Sequence, residues 1–111
     1  MRIAWIDHTL GLVVSDHLKI EMEKLGIELF GASSFGGFES KYGDINDYDG
    51  LLFHFSIPDL IYNSNKLRTI DVPVAKLDRS KREIKEEDCF SYTNYQGIAE
   101  YFLKRQTHIQ E

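Results

Sequence analysis

The chain has 111 residues, which is enough for one ordinary hydrophobic core and too few for two. Its hydrophobic fraction of 42% and charged fraction of 28% are typical of a globular protein. The net charge of −5 argues against a nucleic-acid-binding protein, because such proteins usually present a basic surface. We therefore predict one domain over residues 1–111 that does not bind nucleic acid.

The cysteine content and the N-terminal stretch bear on the location of the protein. Cys89 is the only cysteine, so neither a disulfide within the chain nor a cysteine cluster for a metal can form. The stretch "MRIAWIDHTLGLVV" contains no charge-free apolar run long enough for a signal peptide or a membrane span. These two features predict a cytoplasmic protein that does not enter a membrane.

The first half of the chain alternates short apolar runs with segments of helical pattern. The run "RIAWI" predicts a buried strand that ends at Asp7. Apolar residues then recur at helical spacing from Val14 to Leu25, and Gly26 provides a left-handed stop. The run "IELF" predicts a second strand. The segment "GASSFGGFESKYGD" is poor in helix-forming residues, so we expect its helix to be short or irregular.

The second half continues the alternation. "DGLLFHF" predicts a third strand, and Pro58 is placed to open a helix that runs to about Leu67. "VPVAKL" and "CFSY" predict the fourth and fifth strands, with a charged stretch between them. Thr93 and Gln96 have the spacing of a capping box, which predicts a last helix ending near Arg105.

Alternation of strands and helices with short connections predicts a parallel sheet with helices on both faces. Five strands in this length favour a flavodoxin-like, doubly wound α/β fold with the strand order 2-1-3-4-5. Ligands bind at the carboxyl ends of the strands in folds of this type. The residues predicted at that rim are Asp7, His8, His54, Ser56, Asp78 and Thr93.

The strand motifs resemble the receiver domains of two-component response regulators. "YDGLLFHFSIPD" is similar to that family's third strand, in which an aspartate at the position of His54 accepts a phosphoryl group. "RIAWIDH" resembles the first strand, which ends in a pair of acids that hold magnesium. "PVAKLD" resembles the fourth strand, in which the family has a threonine or serine at the position of Asp78. "FSYTN" resembles the fifth strand, in which the family has an aromatic residue at the position of Phe90, a lysine at that of Thr93 and a proline at that of Asn94. The resemblance implies a single receiver-like signalling domain.

The departures from that family predict the loss of its chemistry. Of the residues that support phosphorylation, only Asp7 is retained in kind. The chemistry needs a carboxylate nucleophile and Mg²⁺, whereas the acceptor position holds His54. Asp78 adds negative charge where phosphoryl oxygens would lie, and Thr93 stands where the family has a lysine, so the compensating positive charge is missing. The stretch between the fourth and fifth strands is also short for the family. We therefore expect a pseudo-receiver with a shortened or missing fourth helix, not phosphorylated by the usual aspartyl mechanism.

Three interpretations of His54 remain open from the sequence. It can be a neutral imidazole that fills the degenerate pocket and contacts Asp7 or a backbone group. It can act as a phosphohistidine or catalytic residue. It can also belong to a divalent-metal site with Asp7, His8 and Asp78, because two imidazoles and two carboxylates suit Zn²⁺ or another transition metal. The metal site requires a turn between Asp7 and His8, since neighbours in a strand point to opposite faces.

Aromatic residues crowd the fifth strand and the last helix, the face through which receivers commonly dimerise or dock. The candidates for this interaction face are Phe90, Tyr92, Tyr95 and Tyr101. We expect Tyr101 at the edge of the buried stripe, with a hydroxyl in water. The favoured hypothesis is a non-enzymatic, cofactor-free signalling module whose partner is another protein or a second copy. The alternative is a small protein that binds a metal or phosphate ligand near His54, with hydrolytic or phosphotransfer activity.

Overall fold

Five strands form one sheet in the order β2-β1-β3-β4-β5, and each neighbouring pair is parallel. The structure is a computed structural model that describes residues 1–54, 65–78 and 87–109, with side chains up to residue 106. The strands are β1 (Arg2–Asp7), β2 (Glu28–Ala32), β3 (Gly50–His54), β4 (Val74–Asp78) and β5 (Cys89–Ser91). The predicted flavodoxin-like α/β fold and its strand order are confirmed.

Helices cover both faces of this sheet. They are α1 (Val13–Lys24), α2 (Phe35–Tyr42) and α3 (Tyr95–Ile109), together with a 3₁₀ turn at Ile45–Asp47. Alternate residues of β1 point to opposite faces. Ile3 and Trp5 pack in the core layer under α1 and α3, whereas Ala4 and Ile6 pack in the layer under α2. The sheet is therefore buried on both sides, which explains the near-continuous apolar runs in its central strands.

Helix α2 is short, as expected, but it is regular. Ser34 caps it, because its hydroxyl accepts a hydrogen bond of 3.0 Å from the backbone N–H of Gly37. Phe35 and Phe38 are fully buried on its inner face. Burial of two large aromatic rings therefore compensates for the poor helix propensity of the glycines.

The start of α3 differs by one residue from the prediction. Asn94 is the capping residue, because its side-chain oxygen accepts from the backbone N–H of Gly97 at 3.0 Å. The predicted capping box of Thr93 and Gln96 is wrong, and Gln96 instead donates to Glu100 one turn later. Residues 65–67 are helical, whereas the rest of the helix predicted from Pro58 and the region of the predicted shortened fourth helix lie outside the described residues.

The tyrosines predicted to be left exposed for a partner are buried. Tyr92 is 4% exposed and Tyr101 is 9% exposed. The Tyr101 hydroxyl donates to the backbone carbonyl of Val74 at 2.5 Å, and the Arg105 guanidinium covers the ring at 3.6 Å. Helix α3 thus lies close enough to β4 for a side chain at the edge of its stripe to reach the strand. The expectation that Tyr101 keeps its hydroxyl in water is wrong, while Phe90 and Tyr95 are half-buried against the core.

Close packing of α3 on β3 depends on Gly50. A Cβ atom at this position would lie 2.6 Å from Phe102 Cε1 and 3.1 Å from Ile3 Cδ1. We predict that Gly50→Ala lowers the free energy of unfolding by about 1–3 kcal/mol through overpacking. Gly36→Ala is the control, because a Cβ there meets nothing within 4 Å and should stabilise α2 slightly. Urea unfolding measures both, and an unchanged midpoint in Gly50→Ala would contradict this packing.

Burial raises the pKa of the Tyr101 hydroxyl above its ordinary value of 10.0, although the nearby Arg105 acts in the opposite direction. The folded protein then holds this proton more tightly than the unfolded chain. The resulting stability is fully present below about pH 10 and is lost as the pH rises through the folded pKa.

We therefore predict that Tyr101→Phe, which also removes the hydrogen bond to Val74, lowers the free energy of unfolding at pH 7 by about 0.5–1.5 kcal/mol. The gap between variant and wild type should narrow above about pH 10. Urea unfolding at a series of pH values tests this expectation. A gap of constant size up to alkaline pH would show that folding does not raise the pKa of Tyr101.

Candidate functional site

The candidate site lies at the carboxyl ends of the neighbouring strands β1 and β3. Asp7 is the last residue of β1 and is paired in register with His54, the last residue of β3. The Asp7 side chain is fully buried, at 0% exposure. The chain leaves the strand and turns at His8. Two consecutive residues can therefore contribute to one rim, as the sequence interpretation required.

The Asp7 carboxylate accepts four hydrogen bonds from its own chain. Oδ1 accepts from the backbone N–H of Thr9 at 2.8 Å and from the Thr9 hydroxyl at 2.6 Å. Oδ2 accepts from the Tyr92 hydroxyl at 2.6 Å and from the Trp5 indole N–H at 3.2 Å. A carboxylate has about four lone-pair positions. Internal donors therefore satisfy this buried charge.

Local sequence accounts for most of these donors. Trp5 lies two residues before Asp7 and so points to the same face of β1. Thr9 lies two residues after Asp7, the spacing at which an aspartate bonds to its own backbone in an Asx turn. Ser15, in the first turn of α1, donates to the Thr9 carbonyl at 3.0 Å. The network therefore joins β1, the turn after it and the start of α1.

Two imidazoles lie over this buried carboxylate. His54 Nδ1 is 3.8 Å from Asp7 Oδ1, an electrostatic contact that is too long for a hydrogen bond. The His54 ring stacks on the His8 ring, with centroids 4.8 Å apart and planes 25° apart. The edge of Tyr92 approaches His54 at 5.8 Å between centroids. His8 is exposed, whereas His54 is 20% exposed at its side chain.

The predicted pocket divides into two parts. Asp7, His8 and His54 come together, with one possible ligand atom of each within 4.8 Å of the others. Asp78 does not belong to this group; it pairs in register with Ser91 at the end of β4. Thr93 is exposed, and its hydroxyl lies 3.3 Å from Ser91 Oγ. The group of possible ligand atoms therefore contains Asp7, His8 and His54 without Asp78, which ends the neighbouring strand β4.

Three residues contribute to the site that the sequence patterns do not predict there. Trp5 and Thr9 are not among the residues predicted at the rim, and the sequence places Tyr92 on the interaction face instead. The spacing of two residues on either side of Asp7 was the available signal for Trp5 and Thr9. Tyr92 directly follows β5, at the same edge of the sheet as Asp7, so its location was predictable whereas its contact was not.

Neither the known family models nor the curated proteins include a match to this chain. The resemblance to receiver domains therefore stays a prediction that rests on the strand motifs. Within the described ranges, no helix is both long and apolar enough to cross a membrane.

We predict that acetyl phosphate with Mg²⁺ does not phosphorylate the protein. Mg²⁺ binds oxygen ligands, and it would have to displace a donor from Asp7 before that carboxylate could hold it. His54→Asp should also stay unphosphorylated, because Tyr92 and Thr9 still occupy the Asp7 oxygens. Intact-protein mass spectrometry at neutral pH measures both. A phosphoryl adduct on the wild type that disappears in His54→Ala would contradict the prediction.

Proposed function

We propose that this chain is a receiver-like signalling domain that acts by binding protein and not by accepting a phosphoryl group. The observation that carries the proposal is the Asp7 carboxylate, whose acceptor positions are filled by Trp5, Thr9 and Tyr92. Phosphoryl transfer needs a carboxylate whose lone pairs can hold a metal ion. Here the same carboxylate accepts hydrogen bonds from β1, from the turn after it and from the residue after β5.

The nature of the pocket supports a scaffold more than a catalyst. His54 stands at the position that an aspartate occupies in the family it resembles, and its neighbours are the rings of His8 and Tyr92. A pocket whose polar groups bond to one another can maintain the structure of a domain, while the surface of the domain binds the partner. We expect the protein to bind its partner in the cytoplasm, where a lone thiol such as Cys89 stays reduced.

Helix α1 offers the best-supported surface for a partner. The exposed large apolar side chains of the described residues are Leu12, Val13, Ile20, Leu25 and Leu103. All but Leu103 belong to α1 or to the residues that flank it. Tyr92 and Tyr101 are buried, so most of the aromatic area of the interaction face predicted on β5 and α3 is not accessible to a partner. We therefore propose the outer side of α1 as the contact surface instead.

Val13 and Ile20 define a stripe on that outer side. They are 69% and 50% exposed. They are seven positions apart along the helix, so they lie only about 20° apart around its axis. The buried residue Leu18 is on the opposite side of the helix. We call Val13, Asp16, His17 and Ile20 the α1 stripe.

The α1 stripe is complementary to itself, which points to a second copy of the chain as the partner. If two α1 helices pack antiparallel about a two-fold axis, Val13 of each copy faces Ile20 of the other. Asp16 then faces His17, so a carboxylate meets an imidazole N–H at the same time. Two-fold symmetry forms each of these contacts twice.

This contact is small, so the predicted association is weak. Helix α1 has 12 residues and is about 18 Å long. A single helix face of that length lies at the low end of interface sizes. The charge of −5 on each copy adds a repulsion that salt screens. We therefore expect reversible dimers at high protein concentration, favoured by moderate salt.

Ile20→Glu should abolish this association, because it places a carboxylate in the apolar part of the α1 stripe. The matched control is Leu103→Glu, which changes an equally exposed side chain, at 49%, on α3. Sedimentation at rising protein concentration measures the dimer, and circular dichroism checks the fold of each variant. A wild type that stays monomeric would contradict the proposed dimer. Disruption by Leu103→Glu and not by Ile20→Glu would return the interface to β5 and α3.

A further inference from the structure

The two stacked imidazoles lie at the edge of the sheet, with a buried negative charge beneath them. We infer that His8 and His54 form a binding site for a late first-row divalent ion such as Zn²⁺ or Cu²⁺, with Asp7 acting behind His54 and not as a ligand. The inference does not depend on the proposed protein-binding function, since it uses neither the α1 stripe nor β5.

The type of donor selects the type of metal. Imidazole nitrogen suits Zn²⁺, Cu²⁺ and Ni²⁺, whereas Mg²⁺ and Ca²⁺ need oxygen ligands. The only carboxylate in the group is Asp7, and four donors from the chain already fill its lone pairs. A metal ion is therefore bound by nitrogen at this rim, which excludes Mg²⁺ as the preferred ion.

The distances allow both rings to reach one ion. The possible ligand atoms lie within 4.8 Å of one another. Two nitrogens bound to the same tetrahedral Zn²⁺ at 2.0–2.1 Å are about 3.4 Å apart. One nitrogen of His8 and one nitrogen of His54 must therefore come closer to each other by about 1.5 Å or less. His8 is exposed and begins a turn, so its side chain can make most of this adjustment.

Asp7 supplies the electrostatic part of the site. Its Oδ1 lies 3.8 Å from His54 Nδ1, on the buried side of the ring. Carboxylates commonly stand behind metal-binding imidazoles, where they orient the ring and offset the charge of the ion. Buried negative charge at this distance favours a cation bound to the His54 ring. With two protein ligands, water completes the coordination, and the site stays open to a further ligand.

Titration of the purified protein with Zn²⁺, followed by calorimetry and by NMR of the histidine ring signals, tests this inference. We expect one ion per chain, with the signals of His8 and His54 shifting together and Mg²⁺ leaving them unchanged. His8→Gln and His54→Gln should each weaken binding by at least tenfold. His17→Gln and Cys89→Ser are the controls, because one is an exposed imidazole on α1 and the other is the lone thiol.

His8→Gln carries the test if His54→Gln does not fold, because His8 is exposed. Zn²⁺ binding that survives His8→Gln unchanged would overturn the inference. So would binding that is lost in His17→Gln or Cys89→Ser, or an affinity for Mg²⁺ equal to that for Zn²⁺. Sedimentation in the presence of a chelator separates this result from the dimer, because α1 association needs no metal.

Discussion

A buried carboxylate is stable in a protein interior only when donors surround it, and Asp7 meets that condition with groups from three parts of the chain. Moving an unpaired carboxylate out of water costs at least several kcal/mol. The compensating donors come from β1 through Trp5, from the following turn through Thr9, and from the residue after β5 through Tyr92. Satisfying one charge therefore fixes the relative positions of a central strand, a turn and the far side of the sheet.

The same interaction determines what the rim of the sheet can do. Because four donors already occupy the Asp7 oxygens, the imidazoles of His8 and His54 are the members of this group that we propose as metal ligands. The turn that places Thr9 beside Asp7 also leads into α1, where Ser15 bonds to the Thr9 carbonyl. The Asp7 network therefore lies beside the stacked rings of His8 and His54. The turn that it stabilises leads into α1, whose outer face carries exposed apolar residues.

Much of the fold could be predicted from the sequence, because a parallel sheet that is covered on both faces needs apolar runs bounded by turns. The site was predictable only in part. The end of each strand placed Asp7, His8 and His54 at one edge, but Asp78 shares that edge from a strand farther across the sheet. The period of α3 gave the buried face of the helix, whereas its distance from β4 decided that Tyr101 would reach the Val74 carbonyl. Such distances depend on packing across the whole sheet, which no local pattern contains.

Native-state hydrogen exchange at the Thr9 amide and the Trp5 indole tests the central role of Asp7 most directly. Both N–H groups donate to this carboxylate. A turn amide ordinarily exchanges through small local openings, well below the free energy of global unfolding. We predict that both hydrogens exchange only when the whole domain unfolds. The free energy of opening measured from their exchange should then equal the free energy of global unfolding. Rapid exchange of Thr9 and Trp5 while the core strands stay protected would contradict the account.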